Sequence, residues 1–216
     1  MPNITVVTTT YNEENTIGTL IRKIKEIDDK IFVIVVDDSS IDRTAQISKE
    51  LADLTIVKKR EGQTIGLYTG IKLAKTNIVL TIDADLENPP ELIPYMINEF
   101  LNKRCDVLVA SRNKLPRISE KFTSLIFKRI FGITDIYSNF RVFNKKCFTD
   151  DKIRLGETFG LELLIKTKKN NCRFCEIIYQ SKYRRKNPRI GGIIRSNLRA
   201  TVSTTKSLFG YYFVYR

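Results

Sequence analysis

The 216-residue chain contains no histidine. Its absence excludes Ser-His and Cys-His nucleophilic mechanisms and every metal site that needs an imidazole ligand. The sequence also lacks an uninterrupted apolar run of the roughly 18 residues that a membrane span requires. No basic region followed by an apolar one opens the chain, so we expect no signal peptide. The chain contains no internal repeat and no low-complexity linker, and its length suits one α/β domain with a short additional segment.

Cysteine is also scarce, with four residues in the whole chain. Four are too few for a disulfide scaffold in a chain of this length. Cys172 and Cys175 form one C-x-x-C pair, which Cys105 and Cys147 could join in a zinc site without histidine. We expect a structural role for all four and a reduced, cytosolic compartment.

Acidic residues are rare in the second half, and none follows Glu176. Residues 1–110 carry 13 Lys and Arg against 17 Asp and Glu, whereas residues 111–216 carry 24 against 7. The formal net charge of +13 therefore comes from the second half. This asymmetry indicates an anionic partner, which could be nucleic acid, an anionic membrane surface or a phosphorylated substrate.

The first 85 residues alternate between strand-like and helix-like patterns. Strands are predicted at 3–10, 31–36, 54–57 and 77–82, and helices at 13–28, 42–52 and 62–74. This alternation predicts a parallel, doubly wound sheet. Right-handed crossovers would place the carboxyl ends of the strands along one edge, where such sheets bind their ligands.

Polar side chains follow each of these four strands. In chain order they are Thr10, Tyr11, Asn12 and Glu13; Asp37 and Asp38; Lys59 and Arg60; and Asp83, Asp85 and Glu87. Asp83 and Asp85 would lie on the same side of an extended strand, and paired carboxylates suit Mg²⁺ or Mn²⁺. A solvated acidic turn is the alternative for this stretch alone. Four polar strand ends together favour a binding site.

The second half is predicted to begin with a helix at 89–103 and a strand at 106–110. Further elements are a basic amphipathic helix at 117–131, strands at 135–143 and 173–183, and a helix at 158–169. A basic loop at 184–192 and a helical tail at 193–216 complete the chain. The basic helix and the tail could lie on an anionic bilayer with their aromatic side chains at the level of the headgroups.

Three motifs stand out in the first half: TYNEE at 10–14, VDDSSxDxT at 36–44 and DADLxxPP at 83–90. In this order and spacing they resemble the inverting GT-A glycosyltransferases of family 2, and within it the dolichyl-phosphate mannose synthase-like enzymes. Weaker matches are Gly62 with Gly70, ASR at 110–112, SNFR at 138–141 and a basic RxGG loop at Arg189. The resemblance covers about residues 3–195.

The resemblance implies an α/β fold of the GT-A (Rossmann-like) type, a mostly parallel doubly wound sheet with a basic amphipathic C-terminal part. The GT-A domain would span residues 1–192, with a nucleotide-sugar and metal half at 1–110 and an acceptor half at 111–192. Residues 193–216 would form an amphipathic, membrane-facing segment.

The resemblance also implies roles for individual residues. Those for nucleotide-sugar binding are Thr10, Tyr11, Asn12, Glu13, Asp37, Asp38, Gly62, Asp83 and Ala84. Asp83, Asp85 and Glu87 would hold Mg²⁺ or Mn²⁺, although family members usually have glutamine in place of Glu87. Asp85, Arg112 and Arg189 would be catalytic, and Arg112, Ser138, Arg141 and Arg189 would bind the acceptor phosphate. Asn139 replaces a usual glycine, and asparagine tolerates a left-handed backbone.

The implied reaction transfers a hexose, foremost mannose, from GDP-mannose, UDP-glucose or another nucleotide sugar to a polyprenyl (dolichyl) phosphate. A phosphate monoester has a second pKa of about 6, so its oxygen is an anionic nucleophile without a general base. Positive charge is needed instead. The enzyme would act as a peripheral protein at the cytosolic face of the membrane, with or without a membrane-anchoring subunit.

Three alternatives remain open on the sequence. A glycan or lipid hydroxyl acceptor would need a carboxylate base, for which Glu157 and Glu162 are the candidates. A basic nucleic-acid-binding protein is disfavoured, because the acidic strand ends would repel a phosphate backbone. The third alternative, an inactive family member that serves as a subunit, is disfavoured by the intact acids.

Overall fold

The computed structural model of the protein describes residues 1–113, 118–148, 152–180 and 192–215. Within them, seven strands form one sheet in the order β3-β2-β1-β4-β6-β5-β7. The strands are β1 Ile4–Thr10, β2 Phe32–Asp37, β3 Leu54–Val57, β4 Ile78–Thr81, β5 Val107–Arg112, β6 Arg141–Asn144 and β7 Phe174–Tyr179. The helices are α1 Ile17–Ile27, α2 Thr44–Leu51, α3 Gln63–Leu73, α4 Ile93–Asn102, α5 Ile118–Phe131, α6 Leu161–Lys169 and α7 Gly192–Phe209.

The sheet is mostly parallel, as predicted. β6 alone among the described strands runs antiparallel to its two neighbours, β4 and β5, whereas the other pairs are parallel. Alternate residues of each strand enter different hydrophobic clusters: Val6 packs with α1 and α4, whereas Val7 packs with α3. This alternation is the period-two pattern of a sheet covered by helices on both faces.

Helix α3 lies unusually close to β1, because two of its glycines face that strand. A Cβ atom on Gly66 would stand 2.7 Å from Thr9 Cγ2, and one on Gly70 would stand 2.3 Å from Val7 Cγ1. Real Cβ atoms do not approach this closely, so only glycine permits the contact. The close packing fixes the N-terminus of α3 beside the carboxyl end of the central strands.

The strand predicted at 135–143 is shorter and later than expected. β6 spans Arg141–Asn144 and pairs with β4 by placing Arg141 opposite Thr81. The preceding residues form a turn instead, in which the Ser138 amide donates to the Asp135 carbonyl at 3.3 Å. The helix predicted at 158–169 begins at Leu161 instead, because Phe159 and Gly160 have positive φ angles of 52° and 77°.

The C-terminal tail is helical, as predicted, and it ends in a π-helical segment, Gly210–Val214. One side of the tail is buried against the domain. Tyr215 is buried and its hydroxyl donates to Glu162 on α6. No described helix combines the length and the apolarity that crossing a bilayer would demand. The predicted basic loop at 184–192 lies almost entirely outside the described residues.

All four cysteines are paired in disulfides, which confirms their expected structural role but disagrees with the expected reduced compartment. Cys105, two residues before β5, bonds to Cys175 in β7, and Cys147 after β6 bonds to Cys172 before β7. The partners are 70 and 25 residues apart in sequence, a separation at which spacing alone does not reveal pairing. Both bonds attach the edge strand β7 to the sheet. Disulfides are characteristic of oxidising compartments and of intracellular proteins from hyperthermophiles, so a reduced compartment is unsupported.

The two bonds should contribute measurably to stability. We expect the double variant Cys105→Ser with Cys175→Ser to lower the free energy of unfolding by about 2–4 kcal/mol, because the cross-link closes a long loop in the unfolded chain. Chemical denaturation of the two proteins checks this value. Alkylation of the unreduced native protein at four free thiols would contradict the pairing.

Candidate functional site

The two candidate metal ligands follow directly from the central strand β4. The Ile82 amide donates to the Val7 carbonyl at 3.2 Å, so β4 continues beside β1 up to the first acid. The chain then turns at Leu86, which has a φ of 61°. The Glu87 amide donates to Asp85 Oδ1 at 3.1 Å, which closes the turn. A bulky residue at positive φ is strained, and such strain accumulates at functional sites.

Asp83 is held by two amide side chains, one on each carboxylate oxygen. Gln63 Nε2, at the first residue of α3, donates to Asp83 Oδ1 at 2.7 Å. Asn88 Nδ2 donates to Asp83 Oδ2 at 3.3 Å. Desolvation and the negative charge of Asp85 raise the pKa of Asp83 to about 7, although the charges of Arg141 and Arg112 and the Gln63 bond oppose the shift.

This donor set fits a hard divalent cation. Asp83 and Asp85 are carboxylates that repel each other, and a shared cation removes that repulsion. In the described part of the chain, no group of three or more acidic or cysteine side chains lies close enough to hold a metal. The structure therefore does not gather Asp83, Asp85 and Glu87 into one cluster. A role for Glu87 stays a prediction.

Asp37 and Asp38 both bind the chain itself. Asp37 is fully buried, and it accepts hydrogen bonds from Thr10 Oγ1 at 2.9 Å and from the Ser40 amide at 2.9 Å. Asp38 accepts from the amides of Glu61 at 2.8 Å and Gly62 at 2.9 Å. These bonds fix the loops after β2 and β3, so Asp38 shapes the loop that precedes α3. A direct contact of either residue with a nucleotide stays a prediction.

The TYNEE segment lies at the carboxyl end of β1, as expected. Arg60 stacks on Tyr11, with its Cζ 3.8 Å from the ring centroid, and Arg60 Nη1 donates to the Tyr11 hydroxyl at 3.0 Å. Asn12 has a left-handed φ of 55°, and its Oδ1 accepts from the Ile41 amide at 3.0 Å. The Glu13 amide donates to Thr44 Oγ1 at 2.7 Å. These bonds connect the loops after β1 and β2 into one surface.

Gly62 and Ala84 have different reasons to be small. Gly62 has a φ of 94°, and a Cβ atom there would stand 2.1 Å from Glu157 Oε2. Ala84 is buried in the cluster that contains α1 and α4. The structure thus explains both residues by conformation and packing.

Arg112 is engaged with two acids that the sequence analysis did not connect to it. Its Nε donates to Asp135 Oδ2 at 2.6 Å and its Nη2 to Asp135 Oδ1 at 3.1 Å, which is a bidentate pair. Nη2 also lies 3.4 Å from Glu120 Oε2 on α5. Burial opposes the charge, but the bonds and charge of Asp135 and Glu120 raise the pKa of Arg112. Binding of acceptor phosphate by Arg112 would therefore compete with Asp135.

Arg141 is a buried structural residue rather than an exposed phosphate ligand. Its side chain is 0% exposed, and it donates to the carbonyls of Ser138 at 2.6 Å, Gly160 at 2.8 Å and Ile136 at 2.8 Å. Burial lowers the pKa of Arg141 to about 10, against the raising effect of Asp83 and Asp135. A fully enclosed guanidinium cannot touch a ligand, but its charge still acts on Asp83.

Ser138 and Asn139 lie in the turn that Arg141 holds. Ser138 Oγ accepts from the Phe140 amide at 3.3 Å, and the residue is buried. Asn139 does not have a positive φ angle, so the expectation of a left-handed backbone at this residue was wrong. Its Oδ1 is buried without a hydrogen-bond partner.

The two candidate bases differ sharply in position. Glu162 is fully buried and accepts hydrogen bonds from the Leu155 amide and the Tyr215 hydroxyl. Glu157 is partly buried at the N-terminus of α3, where it accepts from the Thr64 amide at 3.1 Å. Of these two residues, only Glu157 therefore accepts hydrogen bonds from α3, the helix whose first residue holds Asp83. Arg189, the last predicted catalytic residue, lies outside the described residues.

The side chains that hold Asp83 and Arg112 were not identified from the sequence. Gln63 directly follows Gly62, so its position at the start of α3 could have been predicted from the sequence. Asn88 stands within the DADLxxPP motif, but its type alone does not reveal a contact. Tyr179, which donates to Asn88, and Asp135, which binds Arg112, lie too far away in sequence to be predicted.

Comparison with known proteins agrees with this architecture. The structure superposes on that of glucosyl-3-phosphoglycerate synthase from Mycobacterium tuberculosis in complex with Mn²⁺, uridine diphosphate and glucosyl-3-phosphoglycerate. The TM-score is 0.79 at 19% identity, over 97% of this chain and 79% of the other. The complex of that synthase with Mg²⁺ and uridine diphosphate gives the same four values. The fold is therefore that of the GT-A glycosyltransferases.

Sequence comparison assigns the chain to a particular family. The model of the family described as "Glycosyl transferase family 2" matches residues 5–157, and the chain belongs to this family. Relatives named undecaprenyl-phosphate 4-deoxy-4-formamido-L-arabinose transferase include one from Pseudomonas fluorescens, 31% identical over 146 residues, and one from Pectobacterium atrosepticum, 32% identical over 146 residues. The matches cover 60% of this chain and 43% and 44% of those proteins, so the chain spans less than half of their length.

The raised pKa of Asp83 gives a prediction for the metal-free protein. An unfolded aspartate ionises near pH 3.8, whereas Asp83 in the folded chain ionises at about 7. Between these values the folded state holds the extra proton, so stability falls as pH rises through this window. We expect Asp83→Asn to flatten this part of the profile.

Thermal unfolding in EDTA at pH 5 and pH 8 checks the effect. From pH 5 to pH 8 the melting temperature of the wild-type protein should fall by more degrees than that of Asp83→Asn. Equal losses in both proteins would contradict a raised pKa at this carboxyl group.

Proposed function

We propose that this chain transfers a sugar from a nucleotide sugar to a polyprenyl phosphate, with the help of a divalent cation held by Asp83 and Asp85. The observation that carries the proposal is the pair of carboxylates at the end of β4, of which Asp83 is bound by Gln63 of α3 and is influenced by the charges of Arg141 and Arg112. The names of the relatives, which refer to undecaprenyl phosphate, support the acceptor class. The solved neighbour, which holds Mn²⁺ or Mg²⁺ with uridine diphosphate, supports the cofactor.

The proposed reaction requires that the protein position the two substrates and neutralise their negative charges. When bound, the cation neutralises the diphosphate leaving group. The acceptor phosphate is already anionic at neutral pH, and its attack from the side opposite the nucleotide inverts the sugar linkage. Asp83 and Asp85 act as ligands, so neither needs to accept a proton.

Positive charge for the acceptor phosphate has two proposed sources. Arg112 is partly exposed at the end of β5, and its charge already acts on Asp83. It could turn toward a phosphate only by weakening its bonds to Asp135. Arg189 stays a prediction. Arg141 contributes its charge from beneath the site and is not proposed as a ligand.

The identity of the sugar also stays a prediction. Mannose and a dolichyl chain were expected from the sequence, whereas the relatives' names specify a formamido-arabinose and undecaprenyl phosphate. The donor nucleotide is likewise open between GDP and UDP. The proposal therefore concerns the reaction class and the acceptor class.

A membrane-facing surface is proposed on α5 and the C-terminal tail. α5 packs beside α7, and these two helices and the π-helical segment after α7 expose large apolar side chains. They are Leu125, Leu198, Val202, Phe209, Tyr212 and Phe213. Lys128, Arg129 and Lys206 are exposed on the same helices. Apolar side chains with basic neighbours fit the headgroup region of an anionic bilayer, where a polyprenyl acceptor resides. A cytosolic location and a membrane-anchoring subunit stay predictions.

A second candidate function is transfer to a hydroxyl group. It is favoured by one observation, the position of Glu157 beside Gly62 and Thr64 at the start of α3. A hydroxyl acceptor must lose a proton, so this reaction would use Glu157 as the general base. The buried Glu162 is no longer a candidate.

Turnover with a panel of donors tests the proposal and separates the two candidates. Nucleotide release is measured with Mg²⁺ or Mn²⁺, GDP- or UDP-sugars and a polyprenyl phosphate. We expect Asp85→Asn to lose about a hundredfold or more in kcat, because one ligand of the cation disappears. Glu157→Gln, which preserves shape, should keep substantial activity.

Full metal-dependent turnover by Asp85→Asn would exclude the assigned site. A loss of several orders of magnitude in Glu157→Gln, with an unchanged melting temperature, would instead favour the hydroxyl acceptor.

Binding to lipid vesicles tests the proposed membrane surface. Phosphatidylglycerol vesicles should bind the wild-type protein more strongly than phosphatidylcholine vesicles. We expect the double variant Phe209→Ser with Phe213→Ser to lower the partition coefficient about tenfold or more, because two apolar rings no longer enter the bilayer. Leu101→Ser, on the exposed side of α4, is the matched control. Equal losses in both variants would argue against this surface.

A further inference from the structure

Asn88 lies between the candidate metal site and the edge of the sheet. Its side-chain Nδ2 donates to Asp83 Oδ2 at 3.3 Å, and its Oδ1 accepts from the Tyr179 hydroxyl at 2.6 Å. Asn88 is 5% exposed and Tyr179 is 7% exposed. Both polar ends of a buried amide are thus satisfied, which is the condition for tolerating it in the interior.

The amide can be bound in only one orientation. A carboxylate oxygen of ionised Asp83 accepts hydrogen bonds, so the NH₂ group of Asn88 must face it. The carbonyl end then needs a donor, which the Tyr179 hydroxyl supplies. Burial raises the pKa of Tyr179, despite the opposing charge of Arg112, so the phenol keeps its proton.

Tyr179 is itself held in place by packing. It is the last residue of β7, and its ring meets Phe140 edge to face, with 6.1 Å between centroids and 90° between planes. Phe140 is fully buried. The hydroxyl that orients Asn88 is therefore attached to a rigid part of the sheet.

The result is a carboxylate oriented by two neutral donors. Gln63 binds one oxygen of Asp83 and Asn88 binds the other. A carboxylate offers about four lone-pair sites, so each oxygen retains one for a cation. Lysine or arginine in either place would add a positive charge that competes with a metal ion, whereas amides orient the carboxylate without doing so.

We propose that Asn88 is a positioning residue that orients Asp83 toward the divalent cation, and that Tyr179 fixes Asn88. This inference rests on the proposed function, since it concerns the same cation. Removal of a group that hydrogen-bonds a metal ligand typically weakens metal binding about ten- to hundredfold. The effect should therefore appear in metal binding without any turnover.

Titration of Mn²⁺ in the presence of inorganic pyrophosphate tests the inference independently of the donor nucleotide. Calorimetry on the purified full chain gives the dissociation constant. We expect Asn88→Ala to weaken Mn²⁺ binding about ten- to hundredfold. Tyr179→Phe removes one hydroxyl and should weaken it about three- to tenfold, the usual effect of one neutral hydrogen bond.

Tyr215→Phe is the matched control, because it removes another buried hydroxyl that donates to a side chain, Glu162, away from β4. We expect it to lower the melting temperature as Tyr179→Phe does, but to leave the Mn²⁺ dissociation constant within about twofold of wild type. Wild-type affinity in both Asn88→Ala and Tyr179→Phe would overturn the inference and leave the proposed function intact. If the wild-type protein bound no Mn²⁺, the metal site of the proposed function and this inference would both fail.

Discussion

Two carboxylates one residue apart at the end of a buried strand repel each other, and the surrounding structure is arranged around that repulsion. Desolvation and Asp85 together raise the pKa of Asp83 to about 7. The amides of Gln63 and Asn88 hold the carboxylate in place without neutralising it. The arginines contribute charge from positions fixed by other partners. A divalent cation is the group that would remove the remaining repulsion, which is why we assign the site to one.

Arg141 and Arg112, which were both expected to bind the acceptor phosphate, have different roles in the structure. Arg141 is enclosed and bound to three backbone carbonyls, so it holds a turn and lends its charge to the site. Arg112 is bound by Asp135, so its availability to a phosphate depends on that pair. Both act on Asp83 at a distance. Basic residues near an acidic site therefore need not be ligands, even where family motifs suggest it.

The sheet and the edge that carries the site could be predicted because they depend on local patterns. Apolar runs and polar strand ends placed Asp83 and Asp85 correctly after β4. The disulfides, the late start of β6 and the Asn88–Tyr179 contact could not be predicted, because they depend on residues far apart in sequence. Burial could not be predicted from the sequence either: the side chains of Asp37 and Arg141 are both fully enclosed. Motif spacing predicts the position of a residue along the sheet, whereas tertiary packing determines which groups its side chain contacts.

The central claim is that Asp83 and Asp85 together hold one cation at the end of β4. Anomalous diffraction from crystals grown with Mn²⁺ and a nucleoside diphosphate tests it most directly. The account predicts one strong peak about 2 Å from a carboxylate oxygen of Asp83 and about 2 Å from one of Asp85, with diphosphate oxygens completing the coordination. A Mn²⁺ peak bound to other side chains, with the diphosphate away from β4, would contradict it.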